Sequence, residues 1–277
     1  MATLAEMLRD RFGLSPDLPD APAPNATQAA ILGHRTIRKY KETPVAPALL
    51  TMLLACAQSA PAKSDLQQYS IIHVTDAAAK AKLAELAETA PIRTAPVVLV
   101  FCGDVHRAKR IAELRARPYG QDTLDSFMNA AADAALALQA FIVAAESAGL
   151  GCCCVSHVRV RIEQVAALLG LPDGVFPLAG LTVGWPDEER TVTQRLPPSV
   201  VVHENTYDDA NLAAEIDGYD RRRHAAFPIP PRGQLFNDLY GPVDFYGWSE
   251  HVARRLSQPE GREGLREYLQ ARGFQLK

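Results

Sequence analysis

The residues best equipped for chemistry stand close together near the amino terminus: His34, Arg35, Arg38 and Lys39 in the run HRTIRKY. Arg35 and Arg38 are three residues apart, so one helical turn would aim both guanidinium groups at a single anion. A phosphate suits them, because arginine's planar fork makes charge-assisted hydrogen bonds. A solvated basic turn has the same composition, and the run alone does not separate the two. A second cluster is Cys152, Cys153 and Cys154, with His157 close behind. In a strand Cys152 and Cys154 share a face, which permits a metal reading. The same run also makes an ordinary buried strand, cysteine being among the most buried residue types; that reading is adopted, and no metal ligand is assigned. His73 and His106 read as structural or surface residues, and His203, Glu204 and Asn205 as a turn. The chain has no GxxxxGK[ST] loop, HExxH, GxSxG elbow or CxxC pair, so no nucleophile or metal-dependent catalytic residue is assigned. Gly149-Leu150-Gly151 follows a helical pattern, not a strand, and reads as a helix stop.

The elements that must position these residues follow an α/β rhythm. Residues 1–27 read as a short amphipathic helix followed by an arm, because the stretch from Ser15 to Asn25 is too rich in proline to propagate a helix. The folded body begins near Gln28. Apolar residues at helical spacing predict a helix over Pro47–Ala60, stopped by Pro61, and a second over Asp76–Glu88. Tyr69–Val74, Pro96–Phe101, Cys152–Val155 and Pro177–Val183 read as strands, four or five in all, with a helix over Val160–Leu169 closed by Gly170. The Ala-rich run Asp122–Ala148 is apolar on most faces and predicts a helix buried through the middle of the protein. Beyond Trp185 the chain becomes rich in Pro, Arg and acidic residues. Helical patches there are separated by the loop PIPPRGQLFNDLYGP, and the segment 208–277 reads as an extension that packs on a partner subunit.

Composition narrows the function classes. With 277 residues and 48% hydrophobic residues the chain can bury a core without staples. Its 29 basic and 32 acidic residues are interspersed and give a net charge of −3, which offers no field for nucleic acid or anionic lipid. The amino terminus carries charges within its apolar stretch, and the run 124–150 contains Asp125, Asn129, Asp133, Gln139 and Glu146, so neither reads as a signal peptide or a membrane span. Five cysteines without framework spacing suit a reducing compartment, and the expectation is a cytoplasmic protein without membrane or nucleic-acid partners.

From Gln28 onward the chain resembles the nitroreductase superfamily, in particular its NADPH-dependent nitroreductase and flavin reductase branch. The resemblance rests on ordered motifs: HRTIRKYKETPV; SAPAKSDLQQYSIIHVTD; AAESAGLGCCCVSHVR; PLAGLTVGWPDEERTVTQRLPPSVVVHENTY; and WSEHVARRL with LREYLQARGF. It implies an α+β fold with a central, mostly antiparallel sheet flanked by helices, a core domain over 28–207, and an intertwined homodimer with the flavin at the subunit interface. It further implies FMN as cofactor, NADPH or NADH as co-substrate, and hydride transfer by a ping-pong mechanism to a nitroaromatic, quinone or flavin acceptor. By the same resemblance His34, Arg35, Thr36, Arg38 and Arg195 bind the phosphate and ribityl region. Ser64 and Gln67 lie near the flavin ring, Val155 and Ser156 also bind the cofactor, and Arg232 contacts the nucleotide phosphate. The chain departs from the branch at Pro61-Ala62-Lys63, at Ser156-His157 in place of Gly-Gly, at Thr193 in place of a basic residue, and in lacking a GGQ turn near Thr89. Those departures support a second reading, a flavin- or ligand-binding protein with an altered, poorly active site.

Overall fold

A computed structural model describes residues 2–14 and 22–276. The expected Pro-rich arm lies largely outside them; its last residues, 22–25, lead without regular structure into a helix. In chain order the helices are α1 (Leu4–Phe12), α2 (Ala26–Leu32), α3 (Pro47–Gln58), α4 (Ala77–Leu86), α5 (Pro91–Thr94), α6 (His106–Leu114), α7 (Leu124–Ser147), α8 (Ile162–Leu168), α9 (Pro198–Val201), α10 (Leu212–Ala226), α11 (Asn237–Tyr240), α12 (Trp248–Leu256) and α13 (Leu265–Ala271). The strands are β1 (Tyr69–His73), β2 (Val97–Asp104), β3 (Gly151–Val155) and β4 (Val175–Gly184).

These elements form two compact units, one of residues Met1–His34 and Thr191–Pro259, the other of Arg35–Arg190 and Glu260–Lys277. The sequence divisions 1–27, 28–207 and 208–277 do not coincide with them, because the chain leaves the first unit at His34 and returns to it at Thr191.

The second unit is a four-stranded sheet in the order β1-β2-β4-β3, antiparallel throughout. β2 is buried at every position, which is why its sequence VVLVFCGD is apolar without alternation. Its two faces serve two cores: Val98, Val100 and Cys102 pack with Leu83, Val165 and Phe176, while Val97, Leu99 and Phe101 pack with Leu53, Ala137 and Phe141. The register shifts between Phe101 and Cys102. Phe274, Tyr268 and Leu269 enter the first of these cores.

α7 begins where the Thr123 side chain accepts the Ser126 N–H. It ends in a Schellman turn: the Leu150 N–H reaches the Ala145 carbonyl and Gly149 takes φ +84°. Its buried residues, among them Ala130, Asp133, Ala137, Phe141 and Ala145, recur every three or four positions. One face lies in the core of this single chain, while Leu124, Met128 and Leu136 are 47%, 60% and 43% exposed. By length and composition alone this 24-residue helix could cross a bilayer, so its polar residues did not settle the matter; its identity as a core helix comes from its packing.

The first unit is built differently. Among its described residues the buried hydrophobic side chains are Tyr219 and Tyr246, accompanied by buried Arg11, Asp220, Gln234 and Arg254. The Tyr219 ring stands edge-on to Trp248 at 5.4 Å. Asp220 accepts the Ser249 N–H at 3.0 Å and the Ser249 hydroxyl, tying α10 to α12. The run 228–242, expected as a plain loop, holds a 3-10 turn at Pro231–Gly233 and the short α11. The Gln234 amide closes it by donating to the Val243 carbonyl and accepting the Val243 N–H.

Candidate cofactor site

The segment 34–39 is extended, not helical. The Ile37 N–H donates to the Cys152 carbonyl at 3.0 Å, the Arg38 and Lys39 N–H groups donate to the Glu188 carboxylate at 2.6 and 3.1 Å, and Tyr40 bridges to Pro186. Backbone donors taken by other segments of the chain cannot close a helical turn. The turn expected to aim Arg35 and Arg38 together is therefore absent. Gly151 permits this close approach, since a Cβ there would lie 2.6 Å from the Ile37 Cβ.

These contacts set the local electrostatics. Hydrogen bonds from the Arg38 backbone, aided by Arg190, hold the Glu188 carboxyl below the usual range. Burial pushes the Cys153 thiol up, while the Arg38 guanidinium, hydrogen-bonded to it, pulls the other way. Burial also raises the Tyr40 phenol, which donates to the Ile37 carbonyl at 2.6 Å.

The cysteine run forms β3. Cys152 and Cys153 are buried while Cys154 is exposed, and burial pushes the Cys152 thiol well above its ordinary value. Among the described residues no three His, Cys, Asp or Glu side chains are grouped to hold a metal ion. Val155 ends β3, and the Ser156 hydroxyl at the start of the next 3-10 turn accepts from Arg262 Nη2 at 3.1 Å.

Ser64 and Gln67 lie in a loop whose backbone is held open against its own preference. Ser64, Asp65 and Gln67 have φ of +50°, +57° and +51°, each costing about 1–3 kcal/mol for a residue with a side chain. The loop persists because Asp133, 1% exposed on the inner face of α7, accepts the Lys63 N–H on one carboxylate oxygen and the Gln68 N–H on the other, both at 2.9 Å. Arg107 holds the other side, donating to the Gln67 carbonyl at 2.8 Å, the Tyr69 carbonyl at 2.9 Å and Ser70 Oγ at 2.8 Å. Asp104 in turn fixes Arg107 and Ser70. The Ser64 hydroxyl accepts from Lys63 Nζ and the Gln67 amide donates to Asp65. Thr36 lies in the extended segment beside Ile37.

In the first unit His34 and Arg195 meet at Arg11. The Arg11 guanidinium donates to the Leu32, His34 and Thr193 carbonyls, and its own carbonyl accepts the Arg195 N–H at 2.7 Å. The Arg195 side chain donates to Thr193 Oγ1 at 2.9 Å, so a residue that departs from the branch pattern steadies an assigned one. Arg232 is exposed in the 3-10 turn of its loop. A cleft of about 280 Å³ lined by His203, Glu204, Asp208, Asp209 and Glu215 is acidic, and its field repels a phosphate. Sequence reasoning missed Arg11, Arg107 and Asp133. The available signal was Asp133, a charge at a core position of an alanine-rich helix.

An antiparallel sheet crossed by one long buried helix, with a strained loop beside it and a basic extended segment paired to its edge, defines an α+β protein of the nitroreductase type. The sequence agrees: residues 31–185 match the Nitroreductase family and residues 194–277 match the Nitroreductase family, C-terminal domain. The chain belongs to the Nitroreductase family. It is similar to the FMN reductase [NAD(P)H] of Bacillus subtilis, 34% identical over 261 residues, covering 91% of this chain and 99% of that one. The oxygen-insensitive NADPH nitroreductase of Salmonella typhimurium is 34% identical over 248 residues, covering 88% and 96%. Among solved structures it is similar to the NADPH:FMN oxidoreductase from Vibrio harveyi complexed with NAD+ at a TM-score of 0.79, 32% identity and coverage of 90% and 98%. The structure of Bacillus megaterium NfrA2 gives 0.82, 35%, and coverage of 92% and 100%.

Proposed function

We propose that this chain is an FMN-dependent oxidoreductase that passes a hydride from NADPH or NADH to a small nitroaromatic, quinone or flavin acceptor. The observation that carries the reading is the loop 62–68. Three residues in left-handed backbone, held by a buried carboxylate, present a hydroxyl (Ser64) and an amide (Gln67). Such groups fit the alternating donors and acceptors on the edge of a flavin ring. In the same unit Arg35, Thr36 and Arg38 supply cations and a hydroxyl for a phosphate, with Val155 and Ser156 at the end of β3. In the first unit His34 and Arg195 carry the phosphate assignment.

When bound, FMN supplies the ring that takes and returns the hydride, which no side chain here does. The chain's own residues bind and orient: guanidinium groups neutralise the phosphate, and Gln67 and Ser64 fix the polar ring edge. No nucleophile is required. Arg232 is proposed to meet the phosphate that distinguishes NADPH from NADH, being exposed beside Gly233 in a polar loop. We further propose a cytoplasmic homodimer without nucleic-acid or membrane partners. Its support is Met128 and Leu136 on the outer face of α7 and Met52 on the adjoining α3, 60%, 43% and 53% exposed, an apolar surface that association would remove from water.

Anaerobic titration of the purified protein with each nucleotide, followed by a panel of nitroaromatics, quinones and free flavins, tests the proposal. The expected result is one FMN per chain, bleached by NADPH and reoxidised by an acceptor; bound flavin that no nucleotide reduces would favour the altered-site reading. Arg232→Ala is expected to raise KM for NADPH and leave NADH almost unchanged.

A further inference from the structure

We propose that Asp133 and Arg107 are positioning residues that preset the Ser64–Gln67 loop for the flavin ring, and so set both the affinity for the ring and its redox potential. The proposal rests on the FMN reading above. Neither residue belongs to the motifs that carry the family resemblance, and neither contacts the ring in this argument; both act on backbone.

The geometry is specific. Leu66 is in the right-handed region at φ −77°, ψ −20°, and Gln67 follows in the left-handed one. That pairing turns successive N–H groups toward one side and makes a small anion-binding concavity. The protein's own carboxylate meets part of it, at the Gln68 N–H, while the Leu66 N–H goes to the Lys63 carbonyl at 2.9 Å. One Asp133 oxygen accepts the Gln68 N–H and the other accepts the Lys63 N–H, so one carboxylate spans the loop from entry to exit. Because Asp133 lies in the middle of α7, whose neighbours Ala130, Ala134 and Ala137 are fully buried, the loop takes its position from a helix packed into the core.

Arg107 completes the clamp. Its donors engage the carbonyls of Gln67 and Tyr69 and the hydroxyl of Ser70, which fixes the peptide planes that follow Gln67 and Tyr69. The Asp104 carboxylate caps the Arg107 N–H at 3.0 Å and meets its guanidinium at 3.1 Å. With both ends fixed, Gln67 holds a backbone conformation that a glutamine rarely adopts. Its side chain and that of Ser64 then meet a ring edge without reorganisation at the moment of binding. Side chains ordered beforehand bind more tightly, and hydrogen bonds held at fixed places on a redox ring shift the balance between its two oxidation states.

The test compares wild type, Arg107→Gln, Arg107→Lys and Asp133→Asn, measuring affinity for FMN and for riboflavin, the midpoint potential of bound flavin, and hydrogen exchange over residues 63–69 in the flavin-free protein. Arg107 is 47% exposed at its side chain, so its variants fold even if Asp133→Asn does not. The expected result for Arg107→Gln is a loss of about tenfold or more in affinity, the scale of a charged hydrogen bond. The loss should be equal for FMN and riboflavin, because the loop serves the ring and not the phosphate. The midpoint potential should move, and exchange over 63–69 should rise with little change in overall thermal stability. Arg107→Lys keeps the charge but cannot span several acceptors, and should recover only a small part. Unchanged affinity and potential in Arg107→Gln, or a loss confined to FMN, overturns the proposal while leaving the functional reading intact. A wild-type protein that takes up neither flavin overturns both.

Discussion

The two units of this chain solve the problem of stability in different ways. The second buries apolar side chains on both faces of a sheet, with Phe101, Phe141, Leu99 and Leu181 fully inaccessible. Among its described residues the first has no fully buried aliphatic side chain and is joined by charged side chains reaching backbone carbonyls. Arg11 gathers Leu32, His34 and Thr193; Arg223 and Tyr219 meet at the Gln194 carbonyl; Arg254 reaches Leu235 and lies over the Tyr240 and Tyr246 rings. Apolar burial is spread over many atoms and has no direction. An arginine that satisfies several carbonyls at once concentrates its contribution in one group, and its loss leaves each acceptor unpaired.

The difference can be broken or sharpened by substitution. The largest effect is expected from Phe141→Ala, which opens a cavity beside Phe101, 6.2 Å away edge-on, and should cost about 3–5 kcal/mol in urea unfolding. Arg11→Ala should cost about 3 kcal/mol from the lost charged hydrogen bonds, with amide protection falling in residues 22–34 and 191–259 and holding in the sheet. If protection falls uniformly instead, the two units do not differ in the way described. Gly151→Ala forces a methyl against Ile37 and should cost about 1–3 kcal/mol by overpacking, with a matching loss of flavin affinity as the segment bearing Arg35 and Arg38 is displaced.

The smallest effect concerns alkaline pH. Burial pushes the Cys102 thiol up to about 12, against an ordinary value of 9.0. A raised thiol contributes stability that is fully present below the unfolded value and is lost as pH rises through the folded one. The thermal midpoint should therefore fall between about pH 9 and 12, and the fall should be shallower in Cys102→Ala; equal slopes would remove the thiol from the explanation.

The same contrast explains what could be read in advance. In the second unit hydrophobic periodicity places every strand and the long helices, with ends shifted by a few residues: β2 runs on to Asp104 and β4 begins at Val175. In the first unit the interactions are between side chains and backbone at long sequence separation, and no local pattern announces them. Arg11 reads as one more charge on an amphipathic helix, and its partners lie 21 to 182 residues away.

The sequence by itself determined the alternation of elements, written in local pattern, and, through the resemblance its ordered motifs carry, the α+β class, the family and the residues that could meet a phosphate and a flavin edge. Only the tertiary structure decided how those residues are held. Arg35 and Arg38 share no helical turn, because Glu188 and the Cys152 carbonyl take the backbone donors of their segment. Ser64 and Gln67 keep left-handed backbone because Asp133, more than sixty residues further on, satisfies the loop's N–H groups from inside a helix. Such a conformation is costly alone, and only a partner brought from elsewhere in the fold can offset it.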